Sequence, residues 1–248
     1  MLKAISGLVK QTILFSGGST LITNWNFQIS SSYGGSGTTI TDLDGTNNGS
    51  IVGSVPYTNG APTKYLSLDS TDSNYIKTTT NLNPYLNPAN TSTNISVFVW
   101  VYPTSNGTIV SEQGIVPDGG WYDSQIEWIG GVPCFAVWPY TIHGGAVITS
   151  SISAPLNQWH YVGLTYDGAT LRAYVNGLPA GTSSYTRQTP YGAGYGLYYA
   201  LGYPTLTNMG ASKLGANFRL GAFQVWNNAI SSSTILNNYN ADRSFYGK

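Results

Sequence analysis

The strongest structural signal in the chain is the stretch of residues 157–177, which reads NQWHYVGLTYDGATLRAYVNG. Two runs with strand character, residues 158–166 and residues 170–175, lie on either side of an Asp-Gly pair, and an Asn-Gly pair closes the second run. Asp-Gly and Asn-Gly are the pairs that the two-residue primed turns of β-hairpins prefer. The stretch therefore predicts a β-hairpin bracketed by two primed turns.

A second run with strand character, residues 94–102, reads NISVFVWVY. Its isoleucine and valines fall on one face of an extended strand, while Phe98 and Trp100 fall on the other. Because both faces are apolar, we expect both to be covered in the folded protein. Further strands are predicted at residues 65–68, 75–78, 108–112, 125–129, 134–138, 146–150 and 218–226.

One helix is predicted near the end of the chain. Ser231 is the type of residue that caps a helix N-terminus, and it precedes an apolar stripe of Ile235, Leu236 and Tyr239. Thr234 stands where a capping box would place glutamate, so that box is incomplete. We expect this single late helix to cover an edge of a β-sandwich.

The chain is poor in charge. Charged residues make up 8% of its 248 residues, and 10 lysines and arginines balance 10 aspartates and glutamates, whereas a typical soluble domain carries about 25% charged residues. Zero net charge without a basic run excludes the nucleic-acid-binding class. Hydrophobic residues at 41% exclude a disordered chain. The 30 glycines, 19 tyrosines and many Ser, Thr and Asn residues are typical of an extracellular or particle-surface β-protein.

No composition break divides the chain, so we expect one domain over residues 21–248, preceded by an N-terminal arm over residues 1–20. Lys10 interrupts the apolar part of the arm, which is too short for a secretory signal, and no apolar run is long enough to span a membrane. The arm is either a docked or frayed terminus or a partner-binding segment. In the second interpretation the contacts come from one helical face, formed by Leu2, Ile5 and Val9.

Three further segments carry a recognisable pattern: residues 31–53 read SSYGGSGTTITDLDGTNNGSIVG, residues 65–76 read YLSLDSTDSNYI, and residues 220–240 read LGAFQVWNNAISSSTILNNYN. Together with residues 94–103 and 157–177, they resemble the concanavalin A-like, laminin-G-type jelly-roll family over residues 31–246. The sequence departs from the family pattern where Phe, Gly, Arg and Glu are usual, at Leu68, Ser70, Asn228 and Thr234 respectively.

This resemblance implies an all-β fold, a concanavalin A-like jelly-roll β-sandwich with one short C-terminal helix. The fold hosts lectins, adhesion modules, hydrolases and passive shells, so the resemblance alone leaves function open. Residues 31–39 and 238–247 resemble modules in virion proteins of tailed phages and marine viruses. That narrower resemblance implies a place on a virion surface.

Catalytic groups are scarce. Hydrolases of this fold use paired carboxylates on one strand, but the chain has only two glutamates, Glu112 and Glu127, on different predicted strands with Gln125 beside the second. They face each other only if the strands bring them together across a sheet. His160 matches the W-H position of the family, where the role is structural packing, and Cys134 has apolar neighbours that predict a buried thiol. We therefore predict no catalytic residue and no enzymatic activity.

The loop at residues 42–48 has some features of a metal site. Oxygen-bearing side chains alternate there as in the first half of a calcium loop, but the glycine and glutamate positions of such a loop are not matched. Asx-rich turns of this kind more often satisfy their own backbone. We therefore predict no metal site, with calcium as the alternative at Asp42, Asp44, Thr46 and Asn48.

Two aromatic regions are candidates for glycan binding or for subunit contacts, because tyrosine-rich surfaces suit protein interfaces as well as sugars. The second of them, residues 191–203, reads YGAGYGLYYALGY and looks too irregular for a buried strand. The candidate residues are Trp121, Tyr122, Trp138, Tyr140, Tyr191, Tyr195, Tyr198 and Tyr199.

The leading hypothesis is a non-enzymatic virion surface protein, either a capsid decoration or a fibre-type module. Its expected partners are other virion or capsid proteins and further copies of the same chain, with a cell-surface glycan as a further ligand and no nucleic acid or membrane. The alternative is a free carbohydrate-binding, lectin-like module, and the third hypothesis is a glycoside hydrolase. Zero net charge favours association between proteins.

Overall fold

The computed structural model describes residues 21–44, 47–60, 62–86, 94–115, 119–137, 146–185, 196–206 and 213–248. Their helices are α1 (Asn83–Leu86), α2 (Ser232–Asp242) and a 3-10 helix (Arg243–Tyr246). Their strands are β1 (Leu21–Asn26), β2 (Thr39–Ile40), β3 (Gly49–Val52), β4 (Tyr57–Thr58), β5 (Tyr65–Asp69), β6 (Tyr75–Thr78), β7 (Ile95–Pro103), β8 (Gly107–Ile115), β9 (Gly119–Ile129), β10 (Val132–Val137), β11 (Ala146–Thr149), β12 (His160–Tyr166), β13 (Thr170–Val175), β14 (Leu178–Ser184), β15 (Tyr198–Leu201), β16 (Thr205–Leu206), β17 (Lys213–Leu214) and β18 (Asn217–Trp226).

Two antiparallel sheets of eight strands each form a sandwich. The first sheet has the order β14-β13-β12-β7-β18-β5-β4, and β1 also pairs with β18. The second sheet has the order β11-β10-β9-β8-β15-β6-β3-β2. Every strand predicted from the sequence corresponds to a strand here, and the predicted jelly-roll class is confirmed.

Strand β7 lies at the centre of the first sheet, between β12 and β18, and its two faces pack into different clusters. The predicted alternation is confirmed, because Val97 and Val99 lie in the core between the two sheets. Phe98 and Trp100 lie in a second cluster on the outer face of the first sheet, together with residues of the C-terminal helices. Both faces of β7 are therefore covered, one by the second sheet and one by the helices.

The β12–β13 hairpin is confirmed, but its first turn differs from the prediction. Asn176 and Gly177 have φ angles of 52° and 81°, as a two-residue primed turn requires. At the first turn Tyr166 pairs with Leu171, and the backbone N–H of Asp167 donates to the carbonyl oxygen of Thr170 at 3.4 Å, so the two turn residues are Gly168 and Ala169 rather than Asp167 and Gly168. The carboxylate of Asp167 accepts hydrogen bonds from the backbone N–H groups of Ala169 and Thr170, at 3.0 and 2.8 Å, and this side-chain cap stabilises the shifted turn.

Helix α2 begins after Ser231, whose hydroxyl accepts a hydrogen bond from the backbone N–H of Thr234 at 3.2 Å, as predicted. Its apolar stripe is narrower than predicted, because Ile235 is completely buried while Leu236 is 40% exposed. The helix covers the outer face of the first sheet rather than an edge of the sandwich. Neither α2 nor the other described helices have the length and apolar character needed to cross a bilayer.

Candidate functional site

A shallow cleft of about 370 Å³ lies at one end of the sandwich. Residues 70–74 cross there from β5 in the first sheet to β6 in the second. The segment that follows β15 forms the opposite wall of the cleft. The lining residues are Ser70, Thr71, Asp72, Tyr203 and Pro204.

The crossing loop is held by its own hydrogen bonds. The carboxylate of Asp69 accepts hydrogen bonds from the Thr71 hydroxyl and from the Asn74 side-chain amide, each at 2.8 Å. Partial burial acts to raise the pKa of Asp69, but these hydrogen bonds outweigh it and hold the pKa below its ordinary value. Ser70 has a φ of 63°, a left-handed conformation, at the position where the related pattern has glycine. These hydrogen bonds hold the turn of the loop, which places Ser70, Thr71 and Asp72 in the lining of the cleft.

The other wall is equally constrained. The ring of Tyr203 packs edge-to-face against Tyr75, with 5.1 Å between ring centroids. Gly202, at a φ of 83°, leaves no room for a side chain, because a Cβ there would lie 2.3 Å from Leu68. Gly215 brings its backbone close to both walls, since a Cβ there would lie 3.0 Å from Ser70 Cα. Hydroxyl groups, one carboxylate and a tyrosine ring in a pre-formed cleft suit a small polyhydroxylated ligand.

The two glutamates do not form a catalytic pair, because they lie on opposite faces of the second sheet. Glu112 is directly opposite Tyr199, whose side chain lies in the core between the sheets. Glu127 is directly opposite Cys134, which precedes the core residue Phe135 and therefore points away from that core. Side chains that point to opposite faces of one sheet cannot act together on one glycosidic bond.

Both glutamates are buried in polar surroundings of their own. Glu112 is 1% exposed and accepts a short hydrogen bond from the side-chain amide of Gln125. Glu127 is completely buried and accepts a hydrogen bond from the Ser124 hydroxyl at 2.8 Å. The sequence alone did not show whether Glu112 and Glu127 face each other across the sheet. The strand register shows that they do not.

His160 and Cys134 also serve the structure. His160 is 2% exposed, with Nε2 at 2.9 Å from the carbonyl oxygen of Pro155. Burial lowers the pKa of His160 to about 4, so its imidazole is neutral at physiological pH. Burial likewise raises the pKa of the Cys134 thiol, which disfavours the nucleophilic thiolate. The predicted packing role of His160 and the predicted burial of Cys134 both agree with this geometry.

In the loop considered for calcium, the oxygen atoms accept hydrogen bonds from the protein itself. Asp42 accepts from the backbone N–H groups of Asn24 and Asn47, each at 2.9 Å. The side-chain oxygen of Asn48 accepts from the backbone N–H of Asp42 at 3.0 Å. Within the described ranges no three His, Cys, Asp or Glu residues are grouped to hold a metal ion. Thr46 lies outside the described residues.

The predicted aromatic residues are not brought together as one described site. The interpretation of residues 191–203 as too irregular for a buried strand is wrong for its second half, because β15 lies between β8 and β6. Tyr199 is completely buried against Phe223, with 5.6 Å between ring centroids, and is therefore corrected from a surface residue to a core residue. Tyr198, on the opposite face of β15, is half-buried.

The other predicted site residues lie outside what the structure describes. Trp121 and Tyr122 are part of β9, but their side chains are not among the described ones. The remaining candidates belong to ranges that are not described: Leu2, Ile5, Val9, Trp138, Tyr140, Tyr191 and Tyr195.

Comparison with known proteins gives a family match and several similar folds, although no curated protein matches the chain. The binding domain of botulinum neurotoxin DC, in complex with SialylT, is 16% identical with a TM-score of 0.63, over 89% of this chain and 51% of that one. The binding domain of Paraclostridial Mosquitocidal Protein 1 is 16% identical with a TM-score of 0.62, over 92% of this chain and 55% of that one. This chain thus spans about half the length of those binding domains.

A smaller domain is matched over nearly its whole length. Domain 4 of AbnA, a GH43 extracellular arabinanase from Geobacillus stearothermophilus, in complex with arabinotriose, is 16% identical with a TM-score of 0.55, over 88% of this chain and 98% of that one. At this identity the structures establish the fold alone. The family model, in contrast, matches residues 69–236, which is more than half of the sequence. The chain therefore belongs to the Laminin_G_3 family of the concanavalin A-like lectin/glucanases superfamily.

Proposed function

We propose that this chain is a non-catalytic carbohydrate-binding module and that its ligand occupies the cleft between residues 70–72 and residues 203–204. The observation that carries the proposal is that hydroxyl groups, the exposed Asp72 carboxylate and the accessible part of the largely buried Tyr203 ring line one depression. Sugar hydroxyls donate hydrogen bonds to a carboxylate, and the apolar face of a sugar ring packs against an aromatic side chain.

The similar folds support the ligand class. One is a toxin binding domain in complex with SialylT, and another is an arabinanase domain in complex with arabinotriose. The position of Glu112 and Glu127 on opposite faces of the second sheet supports the non-catalytic part of the proposal. A glycosidase needs two carboxyl groups flanking one bond, and the described cleft offers one carboxylate, from Asp72.

Replacing Asp72 with alanine tests the site. We expect the wild-type chain to bind at least one glycan on an array, and Asp72→Ala to lower that affinity by about tenfold or more, because a hydrogen bond to a charged group contributes about 1.5–3 kcal/mol. Thermal stability should stay unchanged, since Asp72 is exposed. The matched control is Asp44→Ala, which removes an exposed aspartate outside the cleft. A wild type without glycan binding, or equal binding by Asp72→Ala, contradicts the proposal.

We further propose that the module works on a virion surface, as a capsid decoration or fibre-type protein in several copies. The low charge of the chain and the virion-like patterns of residues 31–39 and 238–247 support this location. We assign the attachment role to residues 1–20, which precede β1 in the sequence.

Deletion of residues 1–20 tests the location. We expect the full chain to co-sediment with virus particles purified on a density gradient, and the shortened chain to remain folded in the supernatant. Far-UV circular dichroism provides the folding control for the shortened chain. Co-sedimentation of both chains rules out attachment through residues 1–20. Purified particles that lack the full chain rule out the virion-surface location. Neither result depends on the glycan-binding test.

A further inference from the structure

The outer face of the first sheet is only partly covered by the C-terminal helices. Next to the covered part, Trp159, the residue before β12, contacts the rings of Tyr65 on β5 and Tyr102 on β7, and a side chain of β18 lies over the same two rings. Arg219 and Tyr102 are directly opposite each other on β18 and β7, so their side chains share this face. We call this group the arginine platform, and all of its members are half-buried: Tyr65, Tyr102, Trp159 and Arg219.

Two tyrosine rings of the platform contact the guanidinium group of Arg219. The Cζ atom of Arg219 lies 4.6 Å from the ring centroid of Tyr102 and 5.0 Å from that of Tyr65. Both distances are within the range of cation–π contacts. A cation–π contact does not use up a conventional hydrogen-bond donor, and among the described residues the Arg219 side chain makes no hydrogen bond, so its N–H donors remain available.

Trp159 completes the platform as an aromatic wall. Its ring centroid lies 6.0 Å from that of Tyr65 and 5.7 Å from that of Tyr102. It also packs against Tyr246 of the 3-10 helix, with 4.8 Å between centroids. The C-terminal segment therefore fixes the position of Trp159, whose half-buried ring borders the two tyrosines that hold Arg219.

The positive charge of Arg219 is not neutralised by a neighbouring carboxylate among the described residues. Among the described residues there is one ion pair, between Arg172 and Asp167. Arg219 therefore has no carboxylate partner among these residues. Asp69, also on β5, has its carboxylate engaged by Thr71 and Asn74. A guanidinium that is held in place without an acidic partner is a ready binding site for a planar carboxylate, which it engages through two parallel hydrogen bonds.

We infer that the arginine platform is a second ligand site and that it binds a sugar residue carrying a carboxylate. The guanidinium of Arg219 binds the carboxylate, and the ring of Trp159 contacts the apolar face of the sugar. This site is distinct from the cleft, because Tyr65 and Ser70 are separated by the length of β5, roughly 17 Å at about 3.3 Å per residue. The inference goes beyond the proposed function and does not depend on it.

Titration calorimetry with glucuronic acid, N-acetylneuraminic acid, glucose and sodium acetate tests the site. We expect an acidic sugar to bind more tightly than either glucose or acetate, with an affinity that falls as salt concentration rises. The Arg219→Gln variant should lose about tenfold or more of this affinity, because it keeps a polar side chain but loses the charge that pairs with the carboxylate. The matched control, Arg243→Gln, removes an exposed arginine outside the platform and should bind as the wild type does.

The folding of Arg219→Gln is checked by its thermal unfolding, and Trp159→Phe provides a second variant that keeps an aromatic ring. Weaker binding of the acidic sugar by Trp159→Phe supports the wall contact. Absence of binding by both acidic sugars, equal binding of glucose or acetate, or unchanged binding by Arg219→Gln overturns the inference. Asp72→Ala separates the two sites, since it should leave acidic-sugar binding intact even where it abolishes binding in the cleft.

Discussion

Trp100→Ala should lower the free energy of unfolding by about 3 to 5 kcal/mol, the range measured when large buried aromatic residues are truncated. Trp100 is completely buried on the outer face of the first sheet. Its ring stacks on Tyr246 at 4.1 Å and on Tyr239 at 5.6 Å between centroids, and therefore joins the C-terminal helices to the sheet. Urea denaturation followed by circular dichroism measures the loss.

Two variants show whether ring packing causes the effect. Trp100→Phe keeps an aromatic ring and removes an indole N–H that has no hydrogen-bond partner among the described residues, so it should cost clearly less than alanine. Leu236→Ala changes a residue of α2 that is 40% exposed, and should alter stability by about 0.5 kcal/mol or less. If Trp100→Ala costs no more than Leu236→Ala, the helices are not anchored through this ring.

The strands of the first sheet could be predicted because their signal is local. Strand β7 alternates between the core and the outer cluster as the period of two requires, and β12 does the same. The Asn-Gly pair at 176–177 forms its turn from its own conformational preference. Even here a side chain changed the outcome, because the cap from Asp167 stabilises a turn at Gly168 and Ala169, one residue later than the Asp-Gly pair alone indicates.

Features that depend on register could not be predicted. The pairing of β8 with β9 is irregular between Thr108 and Val110, between Val110 and Ser111, and again farther along β8. Each such irregularity changes which face the following side chains take. For this reason counting residues could not show that Glu112 and Glu127 point to opposite faces. The burial of Tyr199 has the same origin, since it depends on pairing with β8 rather than on the glycine-rich sequence around it.

Both candidate sites join residues that are far apart in the chain. Asp72 and Tyr203 line one cleft only because β5 and β15 end, and β6 begins, at the same end of the sandwich. Arg219 meets Tyr65 only because β18 pairs with β5. The sequence offered a partial signal for the cleft in the DSTDSN turn at residues 69–74, whereas no local pattern marks Arg219. The tyrosine-rich stretches stand out in the sequence instead, but only by their composition.

The second large effect concerns the pH dependence of stability. Burial raises the pKa of Asp242, at the end of α2, from its ordinary value of 3.8 to about 6. The folded state thus holds this proton more tightly than the unfolded chain does. The stabilisation is fully present below about pH 4 and is lost as the pH rises to about 6. Since one pKa unit corresponds to about 1.4 kcal/mol and Asp242 is partly exposed, we expect a contribution of about 1 to 2 kcal/mol.

The measured quantity must be the difference in unfolding free energy between the wild type and Asp242→Asn at each pH. His160 titrates in the same window with the opposite sign, because burial lowers its pKa to about 4, so the wild-type curve alone conceals the effect. Asp242→Asn should be the more stable protein at pH 8, and its advantage should shrink toward pH 4. Asp167→Asn provides the control of opposite sign: although burial acts to raise the pKa of Asp167, hydrogen bonds from Arg172 and the backbone hold it low. Removing that carboxylate should therefore destabilise the protein at neutral pH. If the unfolding free energy of Asp242→Asn instead varies with pH in parallel with that of the wild type, Asp242 is not held in its neutral form.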